Sequence, residues 1–62
     1  MHDSRDAERL AGLLEEARAL AAKIGRETPD GELSSMMFEV VASAKRGIRA
    51  AEVAAREAEA AE

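Results

Sequence analysis

The 62-residue sequence has no cysteine, tryptophan or tyrosine, and one phenylalanine is its only aromatic residue. Without cysteine, neither a disulfide nor a thiolate zinc site can hold a small fold together. A chain of this length buries only ~60% of the surface that its unfolded form exposes, so it is marginally stable without such a staple or a partner. These absences point to assembly as the missing source of stability.

Residues that carry chemistry are equally scarce. His2 is the single histidine and precedes the first predicted helix, and asparagine and glutamine are absent. No nucleophile can therefore be matched with a placed base and an orienting group. The acidic pairs lack the Glu-x-x-His spacing of a di-iron bundle, and no EF-hand, phosphate-loop or zinc pattern occurs. The sequence predicts no catalytic, metal-binding or cofactor-binding residue, no cofactor and no enzyme activity.

Long hydrophobic runs are also missing. No apolar run approaches the ~18 residues of a membrane span, and the first residues do not have the pattern of a signal peptide. The net charge is −4, from 13 acidic and 9 basic residues. This sign disfavours non-specific binding to nucleic acid or to anionic membranes. We expect a cytoplasmic protein without membrane contact.

What the sequence does contain is helix-forming residues. Its fifteen alanines, with leucine, glutamate and arginine, favour helix, and few residues are left to build a sheet. The fold class is therefore all-α. One break, from Gly25 to Gly31, divides a single domain (1–62) into a first helix over 4–24, a turn over 25–28 and a second helix over 29–60. Here Gly25 would be a left-handed C-cap, Thr28 an N-cap and Pro29 the first helical residue. So short a turn predicts an antiparallel hairpin.

The apolar residues of both helices repeat at alternating spacings of three and four, which predicts a heptad seam. On the second helix the large apolar residues between Met36 and Val41 cover more of the helix surface than a single neighbouring helix can bury. We therefore predict that two hairpins pair as a homodimeric four-helix bundle. A higher oligomer or a different helical partner satisfies the same physics, and the turns could lie at the same end or at opposite ends. The predicted self-association core is Leu10, Leu13, Leu14, Ala17, Leu20, Ile24, Leu33, Met37, Val40, Val41, Ala44, Ile48 and Ala51.

A second candidate surface lies away from this seam. Phe38, Lys45, Arg49 and Arg56 fall within a narrow band of the second helix. The residues could form a solvated face, with Phe38 packed into an interface, or a contact face for a larger protein, or a nucleic-acid contact. The sequence thus predicts a small self-associating module for protein–protein interaction, in an adaptor or regulatory role. The alternative is a small dimeric nucleic-acid-binding regulator that uses this basic band.

Overall fold

A computed structural model describes residues 4–61 of the chain. It consists of two α-helices, α1 (Ser4–Glu27) and α2 (Gly31–Ala61), joined by the three-residue turn 28–30. The helices pack side by side along their length, in a hairpin that measures 49 × 14 × 13 Å. The all-α hairpin prediction is confirmed. His2 lies outside the described residues.

The first helix ends later than predicted. It continues through Gly25 to Glu27, and no glycine among the described residues has a positive φ. The predicted left-handed cap at Gly25 is therefore wrong. Gly25 is buried because the ring of Phe38 lies against it, and a Cβ placed there would be 2.8 Å from Phe38 Cε2. This position requires glycine for close approach and not for an unusual backbone.

Thr28 closes the first helix and does not cap the second. Its backbone N–H and its hydroxyl both donate to the Ile24 carbonyl, at 2.9 and 2.6 Å. Because the residue before a proline is pushed out of the helical region, α1 cannot continue into Pro29. The prediction of Thr28 as an N-cap and Pro29 as the first helical residue is wrong.

Asp30 is the N-cap of the second helix. Its carboxylate Oδ1 accepts hydrogen bonds from the backbone N–H groups of Glu32 and Leu33, at 2.9 and 3.1 Å. Aspartate is a better N-cap than threonine, which explains why the helix starts at Gly31. Ser34 then donates its hydroxyl to the Gly25 carbonyl at 2.7 Å and ties the two helices together beside the turn.

The helices meet along a line of mostly small residues, which we call the inner seam. Its members are spaced alternately three and four residues apart, and each is buried or half-buried. Gly47, beside this seam, lets Leu14 approach so closely that an added Cβ would lie 2.9 Å from Leu14 Cδ1. The inner seam comprises Ala7, Ala11, Leu14, Arg18, Ala21 and Gly25 on α1, and Ser34, Met37, Val41, Ala44, Ile48, Ala51 and Ala55 on α2.

The core of the isolated hairpin is consequently thin. Its buried hydrophobic residues are five alanines and Val41, and no described side chain is fully buried. Alanine removes little apolar area from water, and the stabilisation from burial follows that area at ~25 cal/mol per Å². A single hairpin therefore derives limited stability from its own contacts.

The seam predicted for the first helix is not the line along which α1 packs against α2. Leu10, Leu13, Leu20 and Ile24 remain 49–59% exposed. The residue that follows each of them packs in the inner seam instead: Ala11, Leu14, Ala21 and Gly25. A shift of one residue rotates a helix face by ~100°, so the contact within the chain lies beside the predicted stripe. Small residues occupy most positions of the inner seam because they allow the two helix backbones to come closer.

Two glycine substitutions should change stability in opposite directions. Nothing lies within 4 Å of a Cβ added at Gly12, so Gly12→Ala should raise the free energy of unfolding by about 0.5–1 kcal/mol through helix propensity. Gly25→Ala should lower it by about 1–3 kcal/mol, because the new methyl group collides with the Phe38 ring. Thermal unfolding followed by circular dichroism measures both. Shifts of the same sign would contradict the assignment of Gly25 to a close contact.

Candidate interaction surfaces

Most of the large apolar side chains that the inner seam leaves out lie together on one side of the hairpin. Each of these residues directly precedes a residue of the inner seam in the sequence. In two antiparallel helices, stepping back one residue from the seam turns both helices toward the same side. The resulting surface, the apolar face, comprises Leu10, Leu13, Ala17, Leu20 and Ile24 on α1, and Leu33, Met36, Val40, Ser43, Gly47, Ala50 and Ala54 on α2.

The exposure of this face is unusual for a folded chain. It holds seven of the nine large hydrophobic residues exposed on the described part of the chain, and these seven are 43–59% exposed. Scattered apolar residues on a surface are ordinary, but a contiguous apolar patch usually marks an interaction site. The face is therefore the main candidate for contact with another molecule.

The apolar face tapers from the turn to the open end of the hairpin. Leu33, Met36 and Val40 make α2 bulky near the turn, whereas Gly47, Ala50 and Ala54 follow on the same stripe. Near the open end, Leu10 and Ala54 lie on opposite sides of a shallow depression lined also by Asp6, Ala7 and Ala51. Large side chains and a depression on one surface allow it to interlock with another helical surface.

Charged residues border the apolar face on both outer edges. On α1 the edge carries Arg9, Glu16 and Lys23, spaced seven residues apart, and on α2 it carries Glu39 and Arg46 with the same spacing. All five are exposed, and none forms an ion pair with another residue of the range 4–61. Arg46 extends toward the face and donates a 3.2 Å hydrogen bond to the Ser43 hydroxyl.

The predicted partner residues occupy the opposite side of the hairpin. Phe38, Lys45, Arg49 and Arg56 each directly follow a residue of the inner seam, so they share one face of α2. Phe38 is 44% exposed, and its ring covers Gly25. Its first role is thus to close the hairpin beside the turn. The three basic residues are exposed, and they form no ion pair among the residues that the structure describes.

Acidic residues dilute the positive charge of this opposite side. Glu52 lies between the basic residues on α2, and Glu8 and Glu15 are at the equivalent positions on α1. Glu15 pairs with Arg18, which also donates a 2.9 Å hydrogen bond from Nε to Glu15 Oε1. A surface for a phosphate backbone concentrates cations without such acids. The mixed charge therefore favours a solvated face or a protein contact over nucleic acid.

Within residues 4–61, no three histidine, cysteine, aspartate or glutamate side chains converge as a set that could bind a metal ion. Neither α1 nor α2 is both long and apolar enough to cross a membrane. Comparison of the chain with protein-family models, with curated proteins and with solved structures finds no match. The interaction surfaces are thus the features from which a function can be argued.

The sequence pattern already indicated the residues of the apolar face. It did not indicate that this face lies outside the contact between α1 and α2. The inner seam could have been located from the second heptad repeat of α1, which is rich in alanine and includes Gly25. Small residues at heptad spacing permit close helix approach, whereas leucine repeats pack at larger distances.

Truncation of Phe38 tests its role in closing the hairpin. Phe38→Ala should lower the free energy of unfolding by about 1–2 kcal/mol, less than the ~3–5 kcal/mol typical of a fully buried phenylalanine, because the ring is half-exposed. Arg49→Ala is the matched control on the same side and should change stability by less than about 0.5 kcal/mol. Urea unfolding of both variants measures the difference. Equal effects would mean that Phe38 does not stabilise the turn.

Proposed function

We propose that this chain is a non-catalytic interaction module that works by self-association. Two copies pair through their apolar faces and form a four-helix bundle, which serves as an adaptor or regulatory protein. The single observation that carries this proposal is the apolar face itself. Large hydrophobic residues are grouped on it, while five of the six buried hydrophobic residues in the described part of the hairpin are alanine.

The first support is energetic. A hairpin whose buried hydrophobic residues are small needs another source of apolar burial to be stable at this length. A second copy placed on the apolar face would bury Leu10, Leu13, Leu20 and Ile24 against the equivalent surface of its partner. The thin core and the exposed leucines then become two halves of one larger core.

The second support is the size of the surface. A hairpin with these dimensions presents roughly 700 Å² to a second copy, so the two copies together would bury about 1,400 Å², within the ~1,200–2,000 Å² of specific interfaces. Its apolar centre and charged edges match the usual anatomy of such interfaces. The area therefore falls in the range of a specific dimer interface.

In the proposed bundle, the side that carries Phe38, Lys45, Arg49 and Arg56 points outward. Two-fold symmetry displays this side twice, once on each copy. A larger protein with a surface of mixed charge could contact either copy there. The adaptor role thus uses one side of the hairpin for assembly and the other for docking.

Solution mass tests the proposal directly. Light scattering on a sizing column should give twice the 6.6 kDa chain mass, and far-UV circular dichroism should lose helical signal on dilution, because folding and assembly are coupled. A fully helical monomer that withstands dilution would contradict self-association.

A pair of neighbouring substitutions tests the surface. Leu20→Glu should weaken the dimer by at least about 100-fold, because each copy would bury an unpaired carboxylate. Ala19→Glu is the matched control, since Ala19 is exposed and lies on the opposite side, and it should leave the dimer intact. Dissociation constants from sedimentation equilibrium measure both. If only Ala19→Glu lost the dimer, the interface would lie on the side that carries Phe38, which would contradict the proposal.

A further inference from the structure

The charged edges of the apolar face carry information about how two copies pair. We propose that the copies pair with their turns at the same end of the bundle, so that α1 of each copy lies against α2 of the other. This inference rests on the self-association proposed above, and it adds the arrangement of the second copy.

Two arrangements bring the apolar faces together. If the two-fold axis runs parallel to the helices, the turns lie at the same end, and α1 contacts α2 of the second copy. If the axis is perpendicular to the helices and lies in the interface, the turns lie at opposite ends. Helix α1 then contacts α1, and α2 contacts α2. Neighbouring helices are antiparallel in both cases, so apolar burial alone does not distinguish them.

The register of the hairpin determines which edge residues meet when the turns are together. Leu14 lies level with Gly47, and the same register places Glu16 within one residue (~1.5 Å) of the level of Arg46, and Lys23 within one residue of the level of Glu39. Because this two-fold axis does not shift the copies along the bundle, Glu16 meets the second copy's Arg46, and Lys23 meets the second copy's Glu39. Symmetry repeats both contacts and makes four pairs of opposite charge.

The opposite arrangement produces conflicts along α1. The apolar stripe of α1 runs from Leu10 to Ile24 and is centred on Ala17, so two antiparallel copies of it align about that residue. Arg9 then lies beside the second copy's Lys23, and Glu16 lies close to the second copy's Glu16. The same axis lies level with Ala44 on α2, so Glu39 and the second copy's Arg46 are offset by about three residues, ~4.5 Å, and make only a looser favourable contact.

Edge charges of this kind set orientation in helical bundles more than they add affinity. Like charges placed side by side disfavour the wrong partner arrangement, as the residues that border a coiled-coil seam do. Here the edge residues are exposed and form no ion pair with another residue of the described part of their own chain. Their alternating signs are thus available to select the arrangement with the turns together.

A distance measurement tests the arrangement. The chain has no cysteine, so Pro29→Cys in the exposed turn introduces a single site for a nitroxide label. Pulsed electron paramagnetic resonance should give a distance below about 25 Å when the turns are together, since facing helices are ~8–10 Å apart. Opposite ends would give about 40 Å, from ~1.5 Å of rise per residue. A labelled dimer with the longer distance overturns this inference alone, whereas a monomer overturns the proposed self-association as well.

Two charge-reversal variants provide an independent test at low salt. With the turns together, Glu16→Arg/Lys23→Glu and Glu39→Lys/Arg46→Glu should each weaken the homodimer by at least about 10-fold. An equimolar mixture of the two should form a heterodimer of wild-type affinity, because every edge pair regains opposite charges. With the turns apart, neither variant would lose affinity by itself. In Glu16→Arg/Lys23→Glu, residue 23 would attract the second copy's Arg9 while residue 16 still faced a like charge, and in Glu39→Lys/Arg46→Glu the contacts on α2 would only exchange signs. If both variants form homodimers with wild-type affinity, the inference is overturned.

Discussion

The close contact between the two helices along the inner seam governs the remainder of the structure. Gly25 accepts the Phe38 ring and Gly47 accepts Leu14, while alanines occupy most of the remaining positions. Large side chains at every position of this line would force the backbones apart. Most of the large apolar side chains consequently lie on one side of it, where they form the apolar face. The exposed leucines of this hairpin are thus a consequence of how tightly its helices pack.

This displacement gives the hairpin two different sides. One side is apolar at its centre and charged at its edges, as the interfaces of helical bundles are. The other side carries Phe38 over the turn, followed by basic residues interspersed with acidic ones. In an isolated hairpin, water would surround both sides equally, so this difference would have no explanation. The proposed dimer accounts for it, because one side would contact a second copy and the other would stay in contact with solvent or a docking protein.

Sequence reasoning was most accurate where the signal is local and repeated. High helix propensity and a single break predicted the two antiparallel helices, because a proline and two glycines interrupt the chain once. It was wrong at the turn, where Asp30 competes with Thr28 for the capping position and Phe38 occupies the space beside Gly25. Capping follows from hydrogen bonds that several residues could make, and the competition is decided by contacts across the turn.

The sequence by itself determined the all-α class, the hairpin and the set of residues able to form an apolar surface, since periodicity and propensity depend on near neighbours in the chain. The tertiary structure decided which of two adjacent heptad repeats the helices bury against each other. Both repeats are apolar and differ by a rotation of ~100°, so hydrophobicity cannot choose between them. The choice depends on how closely two backbones can approach. That closeness is a property of the packed pair and is set by the alanines of the seam and by the glycines that admit Phe38 and Leu14.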